Sequence, residues 1–206
     1  MLHLSTVDAH TLELLRSLQR LPELADTHLV GGTSLALQLG HRRSIDIDLF
    51  GHIETDHQLL SDTICTMGNV TLRYSTSNIH AFTIDNVMVD IVNYSYPWLN
   101  APIIEDGIRL ASIEDIAAMK VTAIVGRGTK KDFVDMAFLL DRMSLSDILQ
   151  CYQRKFSDGS LFMALKSLLY FDDAEPMPMP QMLIPKSWEE VKGTITNAVL
   201  HYHEQR

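Results

Sequence analysis

Residues 29–50 read LVGGTSLALQLGHRRSIDIDLF, and the fold is decided here. Ile45, Ile47 and Leu49 alternate with Asp46 and Asp48. Alternation of period two predicts a strand with one apolar face. Residues two apart on a strand project to the same side, about 7 Å apart at the backbone, so their carboxylates can converge on one small volume. Carboxylates that close repel each other, and burial would raise their pKa values. Bound Mg²⁺ or Mn²⁺ removes both problems, because oxygen ligands suit hard divalent cations. Two such ions about 3.5–4 Å apart clamp the attacking and leaving oxygens of a phosphoryl displacement. The competing reading is a half-exposed strand with an acidic outer face.

The preceding glycines point the same way. Thr27 to Val30 is a short β-prone stretch that runs into Gly31-Gly32. Thr33 or Ser34 can then cap a helix carrying Leu35, Ala36, Leu37 and Leu39, which Gly40 ends. A strand, a glycine turn and a helix N-terminus together bind phosphate through backbone N–H groups and the helix dipole. Glycine lets a phosphate approach the main chain closely. The segment is not a P-loop, since no Gly-Lys-Ser/Thr follows. It could equally be an ordinary strand-to-helix turn.

In combination these motifs resemble the signature of polymerase-β-type nucleotidyltransferases: a glycine pair, a short helix, then acid-hydrophobic-acid. The resemblance makes Asp90, in VMVDIVNY, the third acid. It is closer still to the AbiEii/AbiGii nucleotidyltransferase toxins of type IV toxin–antitoxin and phage-defence systems. Arg42 or Arg43 before Ser44-Ile45-Asp46-Ile47-Asp48 fits that family's pattern, as do MKVTAIVGRGTKKDFVDMAFLL and the tail YFDDAEPMPMP…SWEEVK. It covers residues from about 10 to 200. It implies a nucleoside triphosphate substrate, an RNA acceptor such as the 3′ end of tRNA, and a cognate antitoxin. Gly31, Gly32, Thr33, Ser34 and Arg43 would bind the nucleotide. Asp46, Asp48 and Asp90 would hold the metal.

The second half of the chain carries its own signals. Ser112 with Asp115 opens a helix whose apolar face runs through Ile113, Ile116, Ala117, Ala123 and Ile124. Lys120 sits on that face and must either snorkel outward or meet an anion. The resemblance places a lysine here against the nucleotide phosphates, where it would offset charge on departing pyrophosphate. Thr129 with Asp132 opens the next helix, and Asp135 lies three residues further on. By resemblance an acid of this segment approaches the nucleotide. Otherwise Asp132 is a cap, and Asp135 pairs with Lys131.

The expected architecture is α/β (α+β). A mixed sheet with helices over residues 1–108 carries the acids, and a mainly helical domain over 109–206 closes the cleft. In the first part, a helix near 7–20, a helix near 55–67, and strands at 70–74, 79–84 and 87–94 are expected, the last two joined at Asp85-Asn86.

The chain has 206 residues, 46% of them hydrophobic, and a formal charge of −9, which argues against wide non-specific binding to nucleic acid. His41-Arg42-Arg43 and Arg127-Lys130-Lys131 are the local basic clusters. Each could meet a triphosphate or an RNA end, or be a solvated turn. No apolar run is long enough for a membrane span and no secretory signal is visible at the N-terminus. Cys65 and Cys151 imply no disulfide framework, so a cytoplasmic location is expected. Two other functions stay open: nucleotidyl transfer to a small molecule, and a noncatalytic nucleotide- or partner-binding module of the same fold.

Overall fold

A computed structural model describes residues 1–204. The chain divides into two compact units. The first contains Met1–Gln38, Ser44–Ser95 and Pro102–Ala111, and the second Leu39–Arg43, Tyr96–Ala101 and the chain from Ser112 on. The expected boundary at residue 108 thus falls three residues before the observed change at Ala111. Two short segments of the N-terminal half also belong to the second unit.

The first unit begins with α1 (Ala9–Leu18), capped by Asp8, whose carboxylate accepts from Thr11 N at 2.9 Å. Its buried Leu12, Leu15 and Leu18 follow helical spacing. Next come β1 (Thr27–Leu29), α2 (Gly31–Leu39), β2 (Ile47–Gly51) and α3 (His57–Ile64). Then follow β3 (Val70–Ser75), β4 (Ile79–Ile84), β5 (Val87–Asn93), β6 (Ile103–Glu105) and β7 (Ile108–Leu110). Among the described residues these strands form one seven-stranded sheet ordered β3-β4-β5-β2-β1-β7-β6. It is mixed: β2 runs parallel to β5 and β1 to β7, whereas the other pairs are antiparallel. One apolar core joins Leu15 and Leu18 of α1, Leu37 of α2 and Leu60 of α3 to Ile47, Leu49, Phe82, Val89, Ile91 and Leu110 of the sheet.

The β4–β5 and β6–β7 hairpins turn on residues that tolerate left-handed backbone. Asp85 and Asn86 have φ of 46° and 69°, and Asp106 and Gly107 have 53° and 75°. Two consecutive positive φ values match the strand twist in a two-residue hairpin. The β6–β7 hairpin was not expected, because strands of three residues are too short to show alternation.

Two boundaries differ from the sequence reading. Ile45 is 64% exposed and precedes β2, so the apolar face of that strand is Ile47 and Leu49. Helix α2 starts at Gly31, not after a Thr33 or Ser34 cap. Gly31 has φ +68° and the carbonyl of Val30 accepts the Ser34 N–H at 3.3 Å. The glycine makes the turn into the helix, so no side-chain cap is needed there.

The second unit is helical: α4 (Ile113–Gly126), α5 (Lys130–Leu140), α6 (Leu145–Lys155), α7 (Leu161–Leu168) and α8 (Trp188–Glu204). Ser112, Ser144 and Ser160 cap α4, α6 and α7 through their hydroxyls. Between α7 and α8 the Met-Pro run is irregular, as its prolines require. Segment 96–101 is held here by buried charge. Asp115 accepts from Leu99 N at 2.9 Å and from Lys155 Nζ at 2.7 Å, while that Nζ also donates to the Pro97 carbonyl at 2.8 Å. Among the described residues no helix is long and apolar enough to cross a membrane.

Candidate active site

The residues singled out from the sequence divide between the two units. Asp46, Asp48, Asp90 and Gly31 to Ser34 lie in the first, and Arg43, Lys120 and Asp132 in the second.

In the first unit, strand register does the positioning. Asp48 of β2 and Asp90 of β5 are direct partners in a parallel pair. Neighbouring strands are about 4.8 Å apart and partners face the same way, so these carboxylates start side by side. Both are partly exposed, whereas the alternate residues Ile47, Leu49, Val89 and Ile91 are wholly buried. Asp46 stands two residues before Asp48, just ahead of the strand. The Thr33 hydroxyl anchors this approach by bonding to the Asp46 carbonyl and to Ser44 Oγ, the latter at 2.8 Å.

The glycine turn leans on the same carboxylate. The Asp48 carbonyl accepts the Val30 N–H at 2.9 Å, and the Asp48 side chain lies where a Cβ on Gly31 would be. Only glycine permits both the positive φ and this approach. Gly31 and Gly32 are half-buried, while Thr33 and Ser34 are fully buried. Ser34 Oγ receives Gln38 Nε2 at 3.2 Å. The accessible part of the motif is therefore the glycine backbone.

Sequence reasoning missed Arg73. Its Nη2 donates to Asp90 Oδ1 at 2.6 Å and its Nε to the Phe82 carbonyl at 3.1 Å. No periodic signal marks it, because the β3–β4 register shifts between Leu72 and Tyr74. As the chain stands, no three His, Cys, Asp or Glu side chains among the described residues are gathered as a metal site. The donors nonetheless fit a hard divalent cation. They are carboxylates, two of them strand neighbours and partly exposed, beside a backbone turn open to phosphate.

In the second unit, Lys120, Asp132 and Asp135 build a buried ionic network. Lys120 Nζ lies 3.0 Å from Asp132 Oδ1 and 2.6 Å from Asp135 Oδ2. Arg42 grips Asp135 with both ends of its guanidinium, Nε at 2.6 Å and Nη2 at 2.9 Å. His41 Nε2 donates to Asp135 Oδ1 at 2.8 Å, since the carboxylate can only accept. Arg127 grips Asp132 in the same forked way, at 2.9 and 3.0 Å, and the Thr129 hydroxyl adds a bond at 2.6 Å.

Burial opposes charge on each member, and the partners outweigh it. Asp135 and Asp132 hold Lys120 above the usual lysine range despite its burial. Lys120 and Arg42 hold Asp135 well below the carboxylate range, and Arg127, Lys120 and Thr129 do so for Asp132. Asp132 is also the reciprocal half of the Thr129 capping box. Of the basic clusters, Arg42 and Lys130 are buried, and Arg127 is engaged with Asp132. Lys130 Nζ donates to the Glu175 carbonyl at 2.9 Å. Arg43 and Lys131 remain exposed.

Comparison with known proteins shows the family and the fold. The family model for the AbiEii nucleotidyl transferase toxin of type IV toxin–antitoxin systems matches residues 13–201. An uncharacterized protein of Aquifex aeolicus (strain VF5) is 34% identical over 185 residues, which span 87% of this chain and 89% of the relative. Two Helicobacter pylori crystal structures share the fold. JHP933 has a TM-score of 0.58 at 17% identity, covering 97% of this chain and 94% of that one. The other, described as a candidate nucleotidyltransferase, has a TM-score of 0.59 at 16% identity over 96% of both chains. The chain belongs to the AbiEii family of nucleotidyltransferase toxins.

Proposed function

We propose that this protein moves a nucleotidyl group from a nucleoside triphosphate to RNA, at the 3′ end of tRNA, as the toxin of a type IV toxin–antitoxin system acting in phage defence in the cytoplasm. The observation that carries the catalytic reading is the Asp48–Asp90 strand pair beside the Gly31 turn. Asp46, Asp48 and Asp90 would hold Mg²⁺ or Mn²⁺, which when bound neutralises phosphate charge and makes the acceptor hydroxyl more acidic. The Gly31-Gly32 backbone would receive the phosphates, and Asp90 would help take the acceptor proton. Lys120 is assigned to holding α4 on α5. A role on departing pyrophosphate would require Asp132 or Asp135 to release it. Family membership also implies an antitoxin partner.

The RNA acceptor rests on family kinship and on exposed Arg43 and Lys131. One observation favours a small-molecule acceptor: Arg42 and Lys130 of the two basic clusters are buried. The protein is therefore incubated with each α-labelled triphosphate, Mg²⁺ and total cellular RNA. Label on tRNA that disappears in Asp46→Ala supports the proposal. Label on a metabolite instead would overturn the acceptor, and no transfer to any acceptor would favour a noncatalytic module.

A further inference from the structure

Arg73 is the charged residue beside the carboxylates for which the proposed reaction has no use. The ladder between β3 and β4 runs from Leu72↔Phe82 directly to Tyr74↔Ala81, leaving Arg73 as the extra residue of a β-bulge. Bulges bend the strand and re-aim a side chain. Here the guanidinium crosses β4, takes the Phe82 carbonyl at 3.1 Å as an anchor, and ends 2.6 Å from Asp90 Oδ1. A free surface arginine would sample many rotamers. This one is held at two points, one of them backbone. A divalent cation on Asp90 would compete with the guanidinium for the same oxygen and be repelled by it.

We propose that Arg73 is a resident counter-cation of the third carboxylate. It competes with the divalent ion for Asp90, so that the nucleotide-free chain holds the ion weakly and the ion enters together with the triphosphate. The proposal rests on the metal-binding reading of Asp46, Asp48 and Asp90. Triphosphate oxygens supply the additional anionic ligands that outcompete the guanidinium, consistent with the habit of Mg²⁺ of sharing substrate phosphates. Arg73 is thus a positioning residue: it holds the Asp90 carboxylate in place while the site is empty.

The test measures Mn²⁺ binding by electron paramagnetic resonance on the whole chain, with and without a non-hydrolysable triphosphate. Arg73→Gln should tighten nucleotide-free Mn²⁺ binding about fivefold, the scale of one partly exposed charge pair. The same substitution should change nothing in an Asp90→Asn background. Circular dichroism checks the fold. Should Arg73→Gln misfold, Arg73→Lys, which loses the planar fork, is measured instead and must tighten binding at least about twofold. Unchanged or weaker binding in the Arg73 variant, with wild type binding Mn²⁺ in the presence of triphosphate, overturns the counter-cation alone. If wild type binds no Mn²⁺ even with triphosphate, the metal reading fails and the counter-cation with it.

Discussion

Gly31→Ala separates the backbone role of the glycine turn from its contact with Asp48. Gly31 has φ +68°, where an L-residue costs about 1–2 kcal/mol. The new methyl would also collide with the Asp48 carboxylate, while the Asp48 Cβ, at 3.5 Å, is at ordinary contact distance. Forced overpacking typically adds about 1–3 kcal/mol. The single variant should therefore lose about 2–5 kcal/mol. In an Asp48→Ala background the colliding atoms are gone and only the φ cost of about 1–2 kcal/mol remains. The coupling between the two positions is then about 1–3 kcal/mol. Urea unfolding of the four proteins, followed by circular dichroism at one pH, reads it from the midpoints provided that the slopes agree. A Gly31→Ala loss equal in both backgrounds, within about 0.5 kcal/mol, would show that the Asp48 carboxylate does not rest on the turn. Nucleotidyl transfer by Gly31→Ala should fall with Asp48 displaced, whatever the acceptor.

Further expectations concern the charged residues. Asp48→Ala should abolish transfer while the metal-free melting temperature stays level or rises, because a carboxylate beside Asp90 is removed; a fall of several degrees with activity kept would make Asp48 structural. Lys120→Met should cost about 3–5 kcal/mol in urea unfolding, since it strips a cation from two buried carboxylates; a loss below about 1 kcal/mol would mean that Arg42 and Arg127 suffice. Asp132 and Asp135 are held below their ordinary value of 3.8, so unfolding takes up protons. Their contribution is complete above about pH 4 and is lost as pH falls toward the depressed folded values. A urea midpoint no more acid-sensitive in wild type than in Asp135→Asn would contradict this.

The sequence revealed what repeats and hid what is assembled across the chain. Alternation in VMVDIVNY and the Asp85-Asn86 pair fixed β4, β5 and their turn, because period two and left-handed tolerance are local properties. The same rule overextended β2 to Ile45: an isoleucine in step with a strand need not be in the strand. Thr33 followed capping chemistry on paper, yet its hydroxyl serves Ser44 and Asp46, eleven and thirteen residues away. Arg73 was invisible because a bulge has no sequence period. The network around Asp135 brings in His41 and Arg42 from more than ninety positions away, which no local pattern shows, whereas Lys120, recognised as needing an anion, meets Asp132 and Asp135 of the next helix.

The two groups of carboxylates differ in what their surroundings allow. Asp132 and Asp135 are fully buried, and Lys120, Arg42, Arg127 and His41 already meet them. A divalent ion there would have to displace buried cations whose loss leaves charge uncompensated in a low-dielectric interior. Asp90 is 42% exposed, and the cation on it, Arg73, is itself 36% exposed, so water can solvate whatever is displaced. Screening by that water makes the exchange inexpensive. The acids able to trade a protein cation for a metal are thus those of the strand pair. The buried acids are built to keep the cations they have, which is why the ion pairs of α4 and α5 are read as structure and the carboxylates of β2 and β5 as the site.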